Sequence, residues 1–282
     1  MTRQKHREGY RDERAAEPGK EWNEKRKSRR RRKRRKSRIR FLASMLGTLL
    51  GAVLLVLVAY TALNLFCGFG KVNTQKLREQ GYPESLIALV ERNPETKDFV
   101  LDYPKYKGLE EIDISKEVTK GEIPHFLQWD ERWGYETYGS DFLAVTGCGP
   151  TSLSMVVCGL TGDTKWNPYE VAKMAEDNGY YVDGSGSSWE LMSSGAEKLG
   201  LTVSSVIFDA EHIRATLESG QPIICVMGPG DFTDAGHFLV LTGVDQEGDI
   251  ILQDPNSVER TKQHWDVQKL MNQMKNLWSY RV

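Results

Sequence analysis

The sequence predicts an α+β fold, helices first and a mostly antiparallel sheet second, preceded by a single transmembrane helix. Three observations predict it. Residues 1–40 carry nineteen Lys/Arg against six Asp/Glu, a net of +13, so the whole-chain charge of −1 leaves −14 for the rest. Residues 41–70 contain no charged side chain at all. Apolar positions then recur at helical spacing as far as Gly200, and beyond it they gather into short β-rich runs.

Residues 1–40 are polar and end in the run Arg29 to Lys36, which is all Arg and Lys. So little apolar surface cannot support folding, and a disordered cytoplasmic tail is expected. Residues 41–67 read as an uncleaved membrane anchor. Thirty uncharged residues make a helix of about 45 Å, longer than the ~30 Å hydrocarbon core. The basic flank places the N-terminus inside the cell, adds attraction to anionic lipid, and leaves the acidic bulk outside. A cleaved signal peptide would have a shorter apolar core and small residues at its end, whereas this stretch closes Asn64-Leu65-Phe66-Cys67.

Residues 71–121 form a helical lead-in and a loop. Pro83 opens an amphipathic helix carrying Leu86, Ile87, Leu89 and Val90, and Asn93-Pro94 restarts a second with Phe99 and Val100. The composition is not that of a flexible linker, so this segment is expected to pack on the domain that follows. Residues 108–121 are polar and acidic, a loop.

The main domain spans 122–282. Phe126, Trp129, Trp133, Tyr135 and Tyr138 crowd its start, as a core wedge or as the wall of a substrate groove. An apolar helix follows Cys148, and Asn167-Pro168 opens another. The loop Asp183–Ser188 leads to a third helix, 189–199, closed by Gly200. That loop lacks the Lys-Ser/Thr ending of a phosphate cradle. Strands are expected at 201–208, 222–227, 237–244 and 249–253, with helices at 210–217 and 266–274 and a closing strand at 278–282.

Chemistry centres on Gly147-Cys148-Gly149-Pro150. A thiol at the start of a helix sits at the positive end of its dipole, which favours the thiolate. Such a nucleophile needs a base and a group that orients the base. Of the five histidines, His6 lies on the cytoplasmic side, while His212 and His264 sit in polar, charged surroundings. His125 stays open. His237 stands out because a rigid apolar strand presents it, with Gly236 before it. If 237–244 and 249–254 form a hairpin, its open ends bring Asp254 beside His237, where a carboxylate can hold the imidazole tautomer. The Gln128 amide is a candidate oxyanion donor. Trp129, Trp133, Gly147 and Gly236 are candidate lining of the substrate groove.

Taken in order, QWDERW, GCGPTSLSMVVCGLTG, GHFLVLTG and QDPNS resemble the bacteriocin-processing (double-glycine) peptidase-like family of papain-like cysteine peptidases, over about residues 124–260. The lead-in looks like that of membrane-anchored forms from Gram-positive bacteria. The resemblance implies a papain-like fold with Cys148 as nucleophile, His237 as general base and acid, Asp254 orienting the histidine and Gln128 in the oxyanion hole. The family's best-known members are cytosolic domains fused to exporters. With the site expected outside the cell here, their double-glycine specificity is not carried over.

The expectation is thus an extracellular, membrane-anchored thiol peptidase acting on a peptide or protein, with no cofactor and no metal. The same apparatus would serve a cell-wall amidase or an acyltransferase. A silent peptide-binding domain is the rival, and the basic tail is expected to meet anionic lipid rather than nucleic acid. Cys158 and Cys148 are about 15 Å apart along one helix, too far to bridge. A Cys158–Cys225 disulfide stays open, as does cross-linking through Cys67.

Overall fold

A computed structural model describes residues 26–27, 29–33, 36, 45–47, 49–58 and 72–282. The chain divides into two compact units, Met1–Lys71 and Val72–Val282. In the first, every described residue is helical. That differs from the unstructured arm expected of the basic run, and Arg and Lys are good helix formers. Among the described residues no helix is long and apolar enough to cross a membrane. The expected span is described at 45–47 and 49–58 alone, and Cys67 lies outside the described residues.

The second unit begins with the lead-in, helices α1 (Thr74–Glu79), α2 (Glu84–Arg92) and α3 (Lys97–Asp102). Pro83 precedes α2, whose Leu86, Ile87, Leu89 and Val90 are all buried on one face. Asn93 then caps a 3-10 turn, Pro94–Thr96, its side chain accepting from the Glu95 N–H. These residues share a core with Phe99, Tyr135 and Ala144, and the Phe99 and Tyr135 rings stack 4.2 Å apart. The lead-in therefore packs on the domain by burying apolar side chains.

Next come a short hairpin, β1 (Thr137–Tyr138) and β2 (Asp141–Phe142), a one-turn helix α4 (Leu143–Thr146), and the long helix α5 (Cys148–Thr161). Eleven of the fourteen α5 residues are buried, and Gly162 ends it in the left-handed conformation at φ 77°. Helix α6 (Pro168–Asp177) starts at Asn167, whose side chain accepts from two N–H groups of the first turn. The loop 183–188 lies in a small hairpin in which β3 (Tyr181–Val182), just before it, pairs with β4 (Gly186–Ser187). The helix expected at 189–199 is broken into a 3-10 turn, Trp189–Met192, and α7 (Ser194–Lys198).

The sheet has five strands: β5 (Thr202–Ser205), β6 (Ile223–Met227), β7 (His237–Val244), β8 (Ile250–Gln253) and β9 (Met274–Arg281). Their order is β5-β9-β6-β7-β8, and every pairing is antiparallel. Two expectations are corrected here. The helix at 266–274 stops as α10 (Val267–Met271), and the last strand starts at Met274. That strand fills the gap between β5 and β6 instead of closing an edge.

Both faces of the sheet are covered, which explains why β6 and β7 read as unbroken apolar runs rather than alternating ones. Ile224, Val226, Phe238 and Val240 pack under α5. Ile223, Cys225, Leu239 and Leu241 pack on the other side, with α8 (Ala210–Glu218), α10 and Trp265. Cys158 belongs to the first core and Cys225 to the second. With the sheet between them, both are free thiols, so the Cys158–Cys225 disulfide does not form.

Candidate active site

Cys148 is itself the first residue of α5, so Pro150 falls at the third helical position. Proline costs little there, because first-turn N–H groups have no intrahelical acceptor. The flanking glycines serve the chain's own packing. A Cβ on Gly149 would sit 2.5 Å from Ser187 Oγ of β4, and one on Gly147 would sit 2.4 Å from the Leu143 carbonyl. Tight contact with α4 and β4 thus sets the angle at which the helix presents its cysteine.

A bulge places the histidine and the aspartate. Along β7 and β8, Leu241 pairs with Leu252, then Gly243 with Ile251, so Thr242 is extra. An added residue flips which side chains share a face. Leu239 and Leu241 before the bulge and Val244 after it all reach the same core. Ahead of the bulge, His237 takes the face of Leu239. Asp254 follows Leu252 on that face, and His237 Nε2 meets Asp254 Oδ1 at 2.7 Å. In an unbulged hairpin the two residues would point to opposite sides of the sheet.

With Nε2 committed to Asp254, Nδ1 is left for Cys148, and the sulfur and imidazole are hydrogen-bonded. Burial pushes the Cys148 thiol up, but the hydrogen bond and charge of His237 outweigh it, and the pKa lies below its ordinary value. Burial pulls His237 down, yet the charge of Asp254 and the bonds to both partners raise it to about 10. Asp254, fully buried, is held down to about 2, with His237 and Arg260 overcoming its desolvation. Both shifts favour the charged form, thiolate for Cys148 and imidazolium for His237. By contrast, burial drives Cys158 up to about 12 and Cys225 higher still, which leaves both inert.

Gln128 is buried beside this group and lines the same cleft. One of its amide N–H bonds goes to the Ala144 carbonyl at 2.7 Å. The amide nitrogen keeps a second N–H, while Oε1 has no hydrogen-bond partner. The cleft has a volume of about 320 Å³, and Cys148, His237 and Gly236 line it with Arg92 and Asn93 of the lead-in. A second cleft of about 340 Å³, between Tyr106, Glu131 and Arg132, contains no cysteine, serine, threonine or histidine.

Three of the four groove residues read from the sequence stand elsewhere. Trp133 is fully buried, edge-on to Phe126, and is core wedge rather than groove wall. Trp129 packs with the lead-in and donates Nε1–H to the Asn256 carbonyl at 3.2 Å. Gly147 is buried against Leu143. Gly236 does line the cleft. His125 does not line the cleft: its Nε2 lies 2.8 Å from the Asp254 carbonyl oxygen and 3.1 Å from Thr261 Oγ1.

Arg260 escaped the sequence reading. Its Nε donates to Asp254 Oδ2 at 2.5 Å, the carboxylate oxygen that His237 leaves free. The signal was there in Ser257-Val258-Glu259-Arg260, a serine cap with an acidic first turn. Such a start predicts the short helix α9 (Val258–Thr261) right after Asp254, and its first turn returns the arginine to that side chain.

The model of the Peptidase_C39 like family matches residues 120–282. The chain belongs to that family, which is of the papain-like cysteine-peptidase type. The C39-like segment begins after the lead-in, so α1 to α3 lie outside it. A crystal structure of a candidate C39-like peptidase from Bacillus anthracis is 19% identical and covers 58% of this chain and 97% of that one, with a TM-score of 0.34. Among curated proteins, none matches the chain.

Proposed function

We propose that this C39-like chain is a membrane-anchored thiol peptidase that hydrolyses peptide bonds outside the cell. The observation that carries the reading is the run of contacts from Arg260 through Asp254 and His237 to Cys148 at the cleft wall. In the mechanism, the Cys148 thiolate attacks a peptide carbonyl. The free N–H of Gln128 and the Cys148 backbone N–H receive the oxyanion. The His237 imidazolium passes its Nδ1 proton to the leaving amine, which departs as the acyl-enzyme forms. Imidazole then takes a proton from water, whose oxygen attacks the thioester and restores the thiolate. Asp254 keeps Nε2–H bonded throughout, so the proton moves on and off Nδ1 alone. The anchor and the outward orientation are supported by the basic run ahead of the uncharged residues 41–70.

Alkylation of the full chain by iodoacetamide tests the reading, with modification followed on the Cys148 peptide by mass spectrometry. Wild type is expected to react well below the free-cysteine pKa of about 8.5, and His237→Ala to lose that low-pH reactivity. Peptide hydrolysis should vanish in Cys148→Ala. If Cys148 titrates like a free thiol, or His237→Ala leaves its profile in place, the enzyme reading is wrong and a silent binding domain replaces it. Cutting of residues 72–282 by a protease added to intact cells tests the orientation. Protection of those residues while other surface proteins are cut would reverse it.

A further inference from the structure

Of the contacts that hold Asp254, the outermost come from a part of the chain that the family match does not include. We propose that Glu95, in the lead-in, is a positioning residue of the Cys148 site. The inference deepens the thiol-peptidase reading and depends on it.

Glu95 sits in the 3-10 turn after α2, and its carboxylate is spent entirely on the segment following Asp254. Oε1 accepts the Ser257 hydroxyl, and Oε2 accepts the N–H groups of Val258 at 2.7 Å and Glu259 at 3.3 Å. Those amides open α9 and have no acceptor within the helix. Ser257 is buried, so its hydroxyl cannot turn to water instead. A charged acceptor with three donors holds such a turn more firmly than neutral pairs do.

Its neighbour closes the other end of the turn. Asn93 Nδ2 donates to the Asn256 carbonyl at 2.6 Å, and Trp129 donates to that same oxygen. Residues 256–259 are thereby gripped on both sides by side chains from outside the turn. Arg260 rides on the gripped helix and holds one oxygen of Asp254, while the Asn256 N–H holds the other at 2.7 Å, alongside His237. The path from Glu95 to the sulfur is therefore Ser257 and α9, Arg260, Asp254, His237, Cys148. Glu95 itself does not line the cleft. Its effect is to fix where the Asp254 charge stands relative to the imidazole, and so how strongly Cys148 is ionised.

The test uses the full chain and iodoacetamide, comparing wild type with Glu95→Gln. The glutamine keeps the size but loses the charge and one acceptor. The expected result is a rise of about one pH unit in the midpoint of Cys148 alkylation and a roughly tenfold lower rate at pH 6, with the thermal transition retained. Unchanged midpoint and rate overturn the proposal. Should Glu95→Gln fail to fold, Glu95→Asp, which keeps the charge but shortens its reach to Ser257 and the α9 amides, decides by the same criteria. A wild-type chain without low-pH reactivity would sink the peptidase reading itself, whereas a reactive wild type with an unaltered Glu95→Gln sinks the Glu95 role alone.

Discussion

Cys148 and His237 each have a pKa moved toward the charged form, against the burial that opposes it. Reaction rate as a function of pH should therefore rise where the thiolate forms, below the ordinary thiol range, and fall near pH 10 as the imidazolium loses its proton. Burst hydrolysis between pH 4 and 11 measures both limbs, and alkylation the rising one. Asp254→Asn removes the largest influence that raises His237, so the alkaline limb should move down by at least one unit in the same titration. Stability follows the same groups. Asp254 contributes stability that is complete above its ordinary 3.8 and disappears as pH falls through about 2. His237 contributes stability that is complete below 6.5 and is lost as pH rises through about 10. Urea midpoints should be highest between those regions, and in Asp254→Asn the decline on the alkaline side should be smaller and end at a lower pH.

At the scale of elements, two local features aim the site. The Thr242 bulge brings His237 and Asp254 to one face, so deleting Thr242 should abolish low-pH alkylation of Cys148. Preserved β-sheet circular dichroism in that variant would separate misaligned side chains from unfolding. The closeness of α5 to β4 is the second feature. Gly149→Ala drives a methyl to within 2.5 Å of Ser187 Oγ, and the shift it forces should cost about 1–3 kcal/mol of unfolding free energy. Much of this level was readable beforehand. Pro83, Asn93-Pro94 and Asn167-Pro168 mark helix starts by chemistry that acts within a few residues. The bulge was not readable, because Thr242 and Gly243 suit a regular strand equally well and the extra residue exists through its pairing with β8. The break at Ser193 was likewise hidden in a helical pattern.

Over the whole of Val72–Val282, the sheet is a middle layer with a core on each side, and the lead-in adds a third core against Tyr135 and Ala144. Trp133, fully buried under that layering, should cost about 3–5 kcal/mol when changed to alanine, measured by urea unfolding. Residue types and their neighbours in the chain were enough to nominate Cys148, His237, Asp254 and Gln128, because a helix start, a strand end and an Asp-Pro turn are local events. The α+β layout followed from the same kind of signal. What tertiary structure alone decided are the relations between distant segments. It sent Trp133 to the core, put Cys158 and Cys225 on opposite sides of the sheet, inserted β9 between β5 and β6, and brought Arg260 and Glu95 behind Asp254. Periodicity states that a face will be buried but not against what. The partner is chosen by the packing of both cores together, and with it the charge that stands behind the histidine.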